Sequence, residues 1–210
     1  MKDTKPYPTE EELPLIETLN DIDFSASYTY ADYMRFAFDE RLEIIKGHLF
    51  KMSPAPSRMH QKILGRIYNT IYNKLNGGCG CEVYTAPFDV RLAKKTHNDA
   101  AIFTVVQPDI VVICDQNKLD KRGCIGAPDI IVEILSPGNN KKELLNKFEV
   151  YEEASVKEYW IVSQSDKTFF RYILDEEGKF QPTKLLTIGE NVTTSILPGF
   201  LLNLEDVFRD

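Results

Sequence analysis

The stretch PDIIVEILSP, residues 128–137, places Glu133 in the middle of an apolar run. The Ile, Val and Leu residues on both sides of it predict a strand that is buried in a sheet. An ionised carboxylate is unfavourable in such a strand unless it is paired, hydrogen-bonded or bound to a metal ion. Side chains alternate along a strand, so Glu133 shares its face with Asp129 and Ile131. Glu133 is therefore the first candidate functional residue.

A salt bridge is the other explanation for a carboxylate in a strand. For Asp129 we expect a structural role of this kind, because a Pro-Asp pair at the start of a strand often forms a turn. Glu133 differs because no basic residue lies within its own strand. The residues alone leave both a salt bridge and a metal ligand open for Glu133.

The preceding apolar segment, IFTVVQPDIVVIC at residues 102–114, predicts a second buried strand in which Asp109 follows Pro108. If the two strands are antiparallel neighbours, Asp109 and Glu133 converge on one face of the sheet. Two carboxylates that leave room for water are ligands that Mg²⁺ prefers. A bound Mg²⁺ or Mn²⁺ would activate a water molecule and stabilise the charge that develops on a phosphate.

The segments around these strands predict a mixed sheet with helices. Apolar residues recur at a spacing of three and four from Met59 to Leu75, which indicates an amphipathic helix. Other segments predict a short helix at 28–40 capped by Thr29, a hairpin at 41–53, strands at 81–92, 157–163 and 167–174, a helix within 138–154 capped by Asn139 or Asn140, and a tail that ends in a short helix. The predicted fold class is α/β with a mixed sheet, an α+β arrangement.

The composition is that of one folded domain. The chain has 210 residues, of which 43% are hydrophobic and 27% charged, and no linker divides it. We expect a weakly ordered or extended N-terminal arm at 1–25 and a single domain at 26–210. No apolar stretch approaches about 20 residues, and the start lacks the apolar core of a signal peptide. A cytoplasmic protein with no membrane partner is therefore predicted.

Charge and cysteine content argue against two further classes of protein. A net charge of −7 disfavours a protein that coats nucleic acid by bulk electrostatic attraction. Cys79, Cys81, Cys114 and Cys124 lack the paired spacing of a structural zinc site, and three histidines hardly complete one. We expect four free thiols.

Several motifs in a fixed order are similar to a known family. They are MSPAPSRMHQ at 52–61, QPDIVVI at 107–113, APDIIVEILSP at 127–137 and NKFEVYEEASVKEYWIV at 146–162. From about Tyr30 to the C-terminal LPGFLLNLEDVF, the chain resembles the Putative restriction endonuclease family of the PD-(D/E)XK nuclease superfamily. The resemblance implies a restriction-endonuclease-like core of a helix, a three-strand meander, a second helix and a fourth strand, with extra β-hairpins at both ends.

The resemblance also implies roles for individual residues. Asp109 resembles the superfamily's Asp at the start of the second core strand, and Glu133 resembles its acidic partner in the third. The main-chain carbonyl of Ile134 would complete the protein ligands of the metal ion. Leu135 replaces the lysine that is usual two residues after the acid, and Lys147 matches a helical lysine of this branch of the superfamily.

Lys147 would orient the attacking water or neutralise charge on the phosphate, with a solvated helix lysine as the alternative. Tyr151 lies one helical turn later and can also project toward the sheet. Glu43 matches the family's Glu before a Gly turn, and His60 matches its His at the start of the first core helix. We expect Tyr151, Glu43 and His60 to be supporting residues.

A basic loop supplies the candidate contacts to nucleic acid. Arg91, Lys94 and Lys95 would guide a phosphate backbone toward the carboxylates. The alternative is a solvated loop without a binding role.

These residues lead to one predicted function and two alternatives. The prediction is an endonuclease that hydrolyses phosphodiester bonds in nucleic acid, DNA above all, by a metal-activated water, with Mg²⁺ or Mn²⁺ as cofactor. We expect a homodimer, because nucleases that cut both strands commonly pair through a two-fold axis. A catalytically silent nuclease-like domain that binds or assembles is the first alternative, which the missing lysine after Glu133 and the acidic net charge favour. A hydrolase of a small phosphate compound is the second, although the chain has no P-loop and no GxGxxG.

Overall fold

The computed structural model describes residues 14–52, 56–78, 80–93, 96, 98–136 and 141–209, with only the main chain of 141–143. The α-helices are α1 (Tyr30–Tyr33), α2 (Arg58–Leu75), α3 (Lys141–Ala154) and α4 (Leu204–Phe208). The strands are β1 (Leu42–Ile45), β2 (His48–Lys51), β3 (Glu82–Thr85), β4 (Val90–Arg91), β5 (Val105–Val106), β6 (Ile110–Ile113), β7 (Leu119–Asp120), β8 (Gly123–Ile125), β9 (Ile130–Leu135), β10 (Glu158–Ser163), β11 (Thr168–Leu174), β12 (Phe180–Pro182), β13 (Leu186–Thr187), β14 (Asn191–Val192) and β15 (Leu202–Asn203).

The main sheet has the strand order β12-β11-β10-β9-β6-β3, and β13 pairs with β11. Strands β3, β6 and β9 form an antiparallel meander. Strand β10 runs parallel to β9, so α3 is the crossover between them. Helix α2 precedes the meander in the chain, so the order along the chain is helix, three-strand meander, helix, strand. The predicted restriction-endonuclease-like α+β fold is confirmed.

A second sheet has the order β2-β1-β5-β4-β8-β7, and the predicted hairpin at its edge is confirmed as β1 and β2. The segments 81–92 and 102–114 were each predicted as one strand, and this was wrong. Each is divided between the sheets, with β3 and β6 in the main sheet and β4 and β5 in the second. Pro87 and Pro108 lie between the halves, and a proline has no N–H to donate to a sheet ladder.

Helix α2 covers one face of the main sheet. Its first turn is capped by Ser57, whose side chain accepts the main-chain N–H of His60 at 3.1 Å. Ile63, Ile67 and Ile71 recur every fourth residue and are buried against the sheet. No helix in the described ranges is both long and apolar enough to cross a bilayer.

Helix α3 covers the opposite face. Its Tyr151 is buried in one cluster with Val111 of β6 and Ile131 of β9. Because side chains alternate along a strand, Glu133 of β9 points to the same face as Ile131. The cap predicted for α3 at Asn139 or Asn140 lies outside the described residues.

For the first helix, the prediction from the sequence was right about the cap and wrong about the length. Thr29 caps α1 through both hydrogen bonds of a capping box. The helix is shorter than the predicted 28–40. Before it, Ile16 forms an isolated bridge with Phe36. Residues 1–13 of the predicted arm lie outside the described part, and the division into arm and domain stays a prediction.

The expectation of four free thiols was wrong for two residues, because Cys81 and Cys114 form a disulfide. The antiparallel register of β3 and β6 places them opposite each other just beyond the strands, with Cα atoms 3.9 Å apart. Sequence spacing does not reveal this register. Cys124 is a buried free thiol, and Cys79 lies outside the described residues.

Candidate active site

Two carboxylates meet at the edge of the main sheet. The antiparallel register of β6 and β9 ends with Ile110 opposite Val132, so Asp109 directly precedes the paired part of β6 and Glu133 directly follows Val132 in β9. Asp109 and Glu133 both line a cavity of about 190 Å³, together with Glu43, His60, Ile134 and Lys147 among other residues. The strand arrangement on which the sequence argument depended is therefore present.

Only one of the two carboxylate oxygens of Asp109 contacts a described polar group. Its Oδ2 accepts the main-chain N–H of Ile134 at 2.7 Å and lies 3.2 Å from Nε2 of His60. Its Oδ1 accepts no hydrogen bond from any residue that the structure describes. One oxygen of Asp109 is thus fixed and the other is available to a ligand.

Glu133 shows the same division between its oxygens. Its Oε1 accepts hydrogen bonds from Nζ of Lys147 at 2.9 Å and from the hydroxyl of Tyr151 at 2.8 Å. Within the described ranges, Oε2 has no hydrogen-bond donor. Burial of the carboxyl raises the pKa of Glu133 to about 7; Lys147 opposes the rise, and the negative charges of Asp109 and Glu43 add to it.

Lys147 is an interior residue rather than a solvated one. Its side chain is only 7% exposed, and its Nζ lies 3.1 Å from Oε1 of Glu43 as well as 2.9 Å from Glu133. Burial alone would lower the pKa of Lys147, but the two carboxylates outweigh it and hold that pKa well above its usual range. The solvated helix lysine, which the sequence left open, does not fit this placement.

Glu43 and Tyr151 complete the buried group around Lys147. Glu43 is buried in β1, and its Oε1 also accepts the main-chain N–H of Gln107 at 2.9 Å. The pKa of Tyr151 is raised well above its usual value by burial and by the nearby charges of Glu133 and Glu43, so this hydroxyl remains a donor. Both residues expected to support the site lie in it.

His60 lies at the start of α2, where the cap at Ser57 fixes the helix end. Burial would lower the pKa of His60, but the hydrogen bond and charge of Asp109, with the main chain of Ile134, raise it overall. Its Nδ1 is buried and has no hydrogen-bond partner among the described residues. His60 therefore contacts the site at the carboxylate of Asp109.

The oxygen atoms present suit a hard divalent cation. The described residues contain no group of three or more His, Cys, Asp and Glu side chains that could hold a metal ion. The cavity offers two carboxylates, Asp109 and Glu133, each with one oxygen that accepts no hydrogen bond from the part of the chain that is described. Mg²⁺ usually keeps several waters and binds through one or two carboxylates, so this donor set fits it.

Arg41 and Gln107 are among the cavity-lining residues that were not predicted from the sequence. The guanidinium of Arg41 donates from Nε and Nη2 to Oε1 of Gln107, at 3.1 and 2.6 Å. A weak signal was available for both: Arg41 lies two residues before Glu43, and Gln107 lies two residues before Asp109.

The prediction that Arg91 contacts nucleic acid was wrong. Arg91 is buried, donates to the carbonyl of Cys124 and to the carboxylate of Asp120, and lies over the ring of Tyr30. A guanidinium enclosed in this way cannot reach a phosphate backbone, so Arg91 is a structural residue. Lys94 and Lys95 lie outside the described residues.

Comparisons with known proteins agree with this architecture. The model of the Uma2 family, described as Putative restriction endonuclease, matches residues 30–205. The uncharacterized protein slr1290 of Synechocystis sp. (strain ATCC 27184 / PCC 6803 / Kazusa) is 26% identical over 140 residues, 66% of this chain and 69% of that protein. A crystal structure from Anabaena variabilis ATCC 29413, described as a putative nuclease belonging to DUF820, is similar with a TM-score of 0.64 at 18% identity; the match covers 86% of this chain and 97% of that one.

The family match and the structural match carry different weight. At 18% identity the Anabaena variabilis structure shows a common fold alone. The family match spans most of the chain and begins at Tyr30, where the motif resemblance also begins. Membership of a restriction endonuclease family supports a nuclease function. The chain belongs to the Uma2 family, whose description is Putative restriction endonuclease.

Proposed function

We propose that this protein is a metal-dependent endonuclease that hydrolyses phosphodiester bonds in nucleic acid, with DNA as the substrate and Mg²⁺ or Mn²⁺ as the cofactor. The observation that carries the proposal is that Asp109 and Glu133 line one cavity, each with one oxygen that accepts no hydrogen bond from a described residue. The family description favours DNA over other phosphodiesters.

Asp109, Glu133 and the main-chain carbonyl of Ile134 would hold the cation. A bound divalent ion supplies a Lewis acid that polarises the phosphate and lowers the pKa of water. The residues around the carboxylates set their orientation. Lys147 and Tyr151 both engage Oε1 of Glu133, which leaves Oε2 for the cation.

Lys147 has a second proposed role besides orienting Glu133. An ammonium has three N–H donors, and Glu133 and Glu43 account for two of them. The third donor can orient the attacking water or stabilise negative charge on the phosphate. The ammonium of Lys147 would then supply, from α3, the positive charge that other members of the superfamily have from a lysine at the position of Leu135.

A nicking assay with supercoiled plasmid tests the proposed function. We expect conversion to the nicked form with Mg²⁺ or Mn²⁺ and none with EDTA, because both carboxylates need a cation before phosphate can approach them. Parallel reactions with single-stranded DNA and with RNA define the substrate. Metal-independent cleavage would contradict the proposed mechanism, and the absence of cleavage under every condition would favour the silent binding module.

The pKa of Glu133 predicts how cation binding depends on pH. With a pKa of about 7 in the cation-free protein, Glu133 is protonated below that pH and is then a poor ligand. We expect calorimetry to show Mn²⁺ affinity that falls by about tenfold per pH unit below pH 7 and levels off above it, with proton release near pH 7. An affinity that stays constant from pH 6 to pH 8 would contradict a role for Glu133 as a ligand.

A further inference from the structure

We infer that Arg41 is a phosphate-binding residue of the cavity and that Gln107 holds it in position. This inference rests on the proposed nuclease function and adds to it the group that contacts the substrate's phosphate. Arg41 directly precedes β1, is exposed, and lines the same cavity as Asp109 and Glu133. It therefore combines access to solvent with closeness to the carboxylates.

No carboxylate among the described residues pairs with Arg41. Lys147 in the same cavity is paired with two carboxylates, and His60 is paired with Asp109. Arg41 instead donates to the neutral amide oxygen of Gln107, and in the described part of the chain it forms no ion pair. Its Nη1 donates no hydrogen bond to a described residue. With respect to the described residues, Arg41 thus has no anionic partner and one free edge of its guanidinium.

Gln107 is a rigid support for this guanidinium. It is buried, and its Nε2 donates to Oδ1 of Asp89 at 2.9 Å and to the hydroxyl of Tyr33 at 3.1 Å. A carboxylate can only accept and a guanidinium can only donate, so these neighbours determine which way the amide faces. The amide oxygen must point at Arg41, and Nε and Nη2 are therefore held in one orientation.

This arrangement suits a phosphate for a chemical reason. A guanidinium is planar and binds phosphate oxygens through parallel N–H donors, which a flexible ammonium does not match. Fixing one edge on Gln107 leaves Nη1 to meet an oxygen of the substrate. The alternative is a surface arginine whose only role is to cover Gln107, and such a residue would not affect binding of an anion.

Binding of a fluorescently labelled DNA duplex tests the inference apart from cleavage. Anisotropy is measured with Ca²⁺ in place of Mg²⁺, and a gel checks that the duplex stays intact. We expect Arg41→Ala to raise the Kd by about tenfold and Arg41→Lys to restore part of the loss. The slope of log Kd against log salt should decrease by about one for Arg41→Ala, since one phosphate contact is lost. A residue with only a structural role would not change that slope.

A double-mutant cycle tests the positioning role of Gln107. Gln107→Met keeps the length of the side chain and removes the acceptor, so it should weaken binding by less than Arg41→Ala does. Adding Arg41→Ala to Gln107→Met should then cause a smaller loss than it causes alone. Arg209→Ala is the matched control, because Arg209 is an exposed arginine paired with Asp206 and does not line the cavity.

The outcomes separate this inference from the proposed function. Wild-type affinity and salt slope in Arg41→Ala, or an equal loss in Arg209→Ala, would overturn the role of Arg41 even if the wild-type protein cleaves DNA. Weak binding in Arg41→Ala with no cleavage by the wild type would retain Arg41 as a phosphate contact and reject hydrolysis. Absence of both binding and cleavage in the wild type would reject both.

Discussion

Replacing Asp109 by asparagine should lower metal-dependent DNA cleavage by more than about 100-fold. Loss of residues that merely support metal ligands typically reduces metal affinity or activity 10- to 100-fold, and the loss of a ligand should exceed that. The amide oxygen of asparagine can still accept the N–H of Ile134, which Asp109 accepts at 2.7 Å, so the fold should survive. What is lost is the negative charge that would face the cation. Initial cleavage rates, with Mn²⁺ binding by calorimetry, measure the effect.

Asp129→Asn is the matched control for this experiment. Asp129 also follows a proline at the start of a buried strand, but it accepts the main-chain N–H of Cys114 at 2.7 Å and pairs with Lys157, and it does not line the cavity. We expect this variant to keep cleavage and Mn²⁺ binding within a few-fold of the wild type. Equal loss of activity in the two variants would indicate damage to the sheet rather than to a metal site.

Replacing Lys147 by methionine should destabilise the fold by about 3–5 kcal/mol at pH 8.5, because breaking a buried ion pair leaves an uncompensated buried charge. Here two carboxylates, Glu133 and Glu43, lose the ammonium that lies about 3 Å from each of them. Methionine keeps the apolar stem in place, so packing is nearly conserved. Urea unfolding measures the free energy, and cleavage should fall together with it.

The pH dependence of this loss has a definite sign. The pKa of Glu133 is raised to about 7 in the folded protein, above its ordinary value of 4.5, so its stabilising contribution is present below pH 4.5 and is lost as pH rises to 7. Because Lys147 lowers the pKa of Glu133, this pKa should be still higher in Lys147→Met. The free energy of unfolding of the variant should therefore continue to fall above pH 7. The deficit relative to the wild type should therefore be larger at pH 8.5 than at pH 6.

Lys157→Met is the control for Lys147→Met. Lys157 also pairs with a buried carboxylate, at 2.6 Å, but its side chain is 64% exposed. An exposed ion pair contributes about 1 kcal/mol or less, so this variant should lose little stability at either pH. A deficit in Lys147→Met that is small, or that is the same at pH 6 and pH 8.5, would contradict the buried ion pair.

Local sequence patterns predicted most of the secondary structure and the central acid. The four-residue spacing of Ile63, Ile67 and Ile71 predicted α2, and Thr29 predicted the start of α1. Glu133 could be identified because a carboxylate in an apolar strand needs a partner, and that reasoning requires no knowledge of the other strands. The resemblance in motif order then named Asp109, Glu133 and Lys147 together.

The contacts between distant segments could not be predicted in this way. The hydrogen bonds from Arg41 to Gln107 span 66 residues, and the disulfide of Cys81 with Cys114 spans 33. The burial of Arg91, at the end of β4 in a segment with the composition of a solvated surface, depends on Tyr30 and Asp120 packing around it. None of these pairings leaves a periodic signal in either segment.

The sequence by itself determined helix α2, the cap of α1 and the presence of a carboxylate that needs a partner, because these depend on spacing within one segment. Only the tertiary structure decided which partners that carboxylate has. The pairing of β6 with β9 brings Asp109, which directly precedes β6, into one cavity with Glu133, and the packing of α3 on the sheet brings Lys147 between Glu133 and Glu43. Register and packing are properties of several segments at once, so the electrostatics of the site could be known only after the chain was folded.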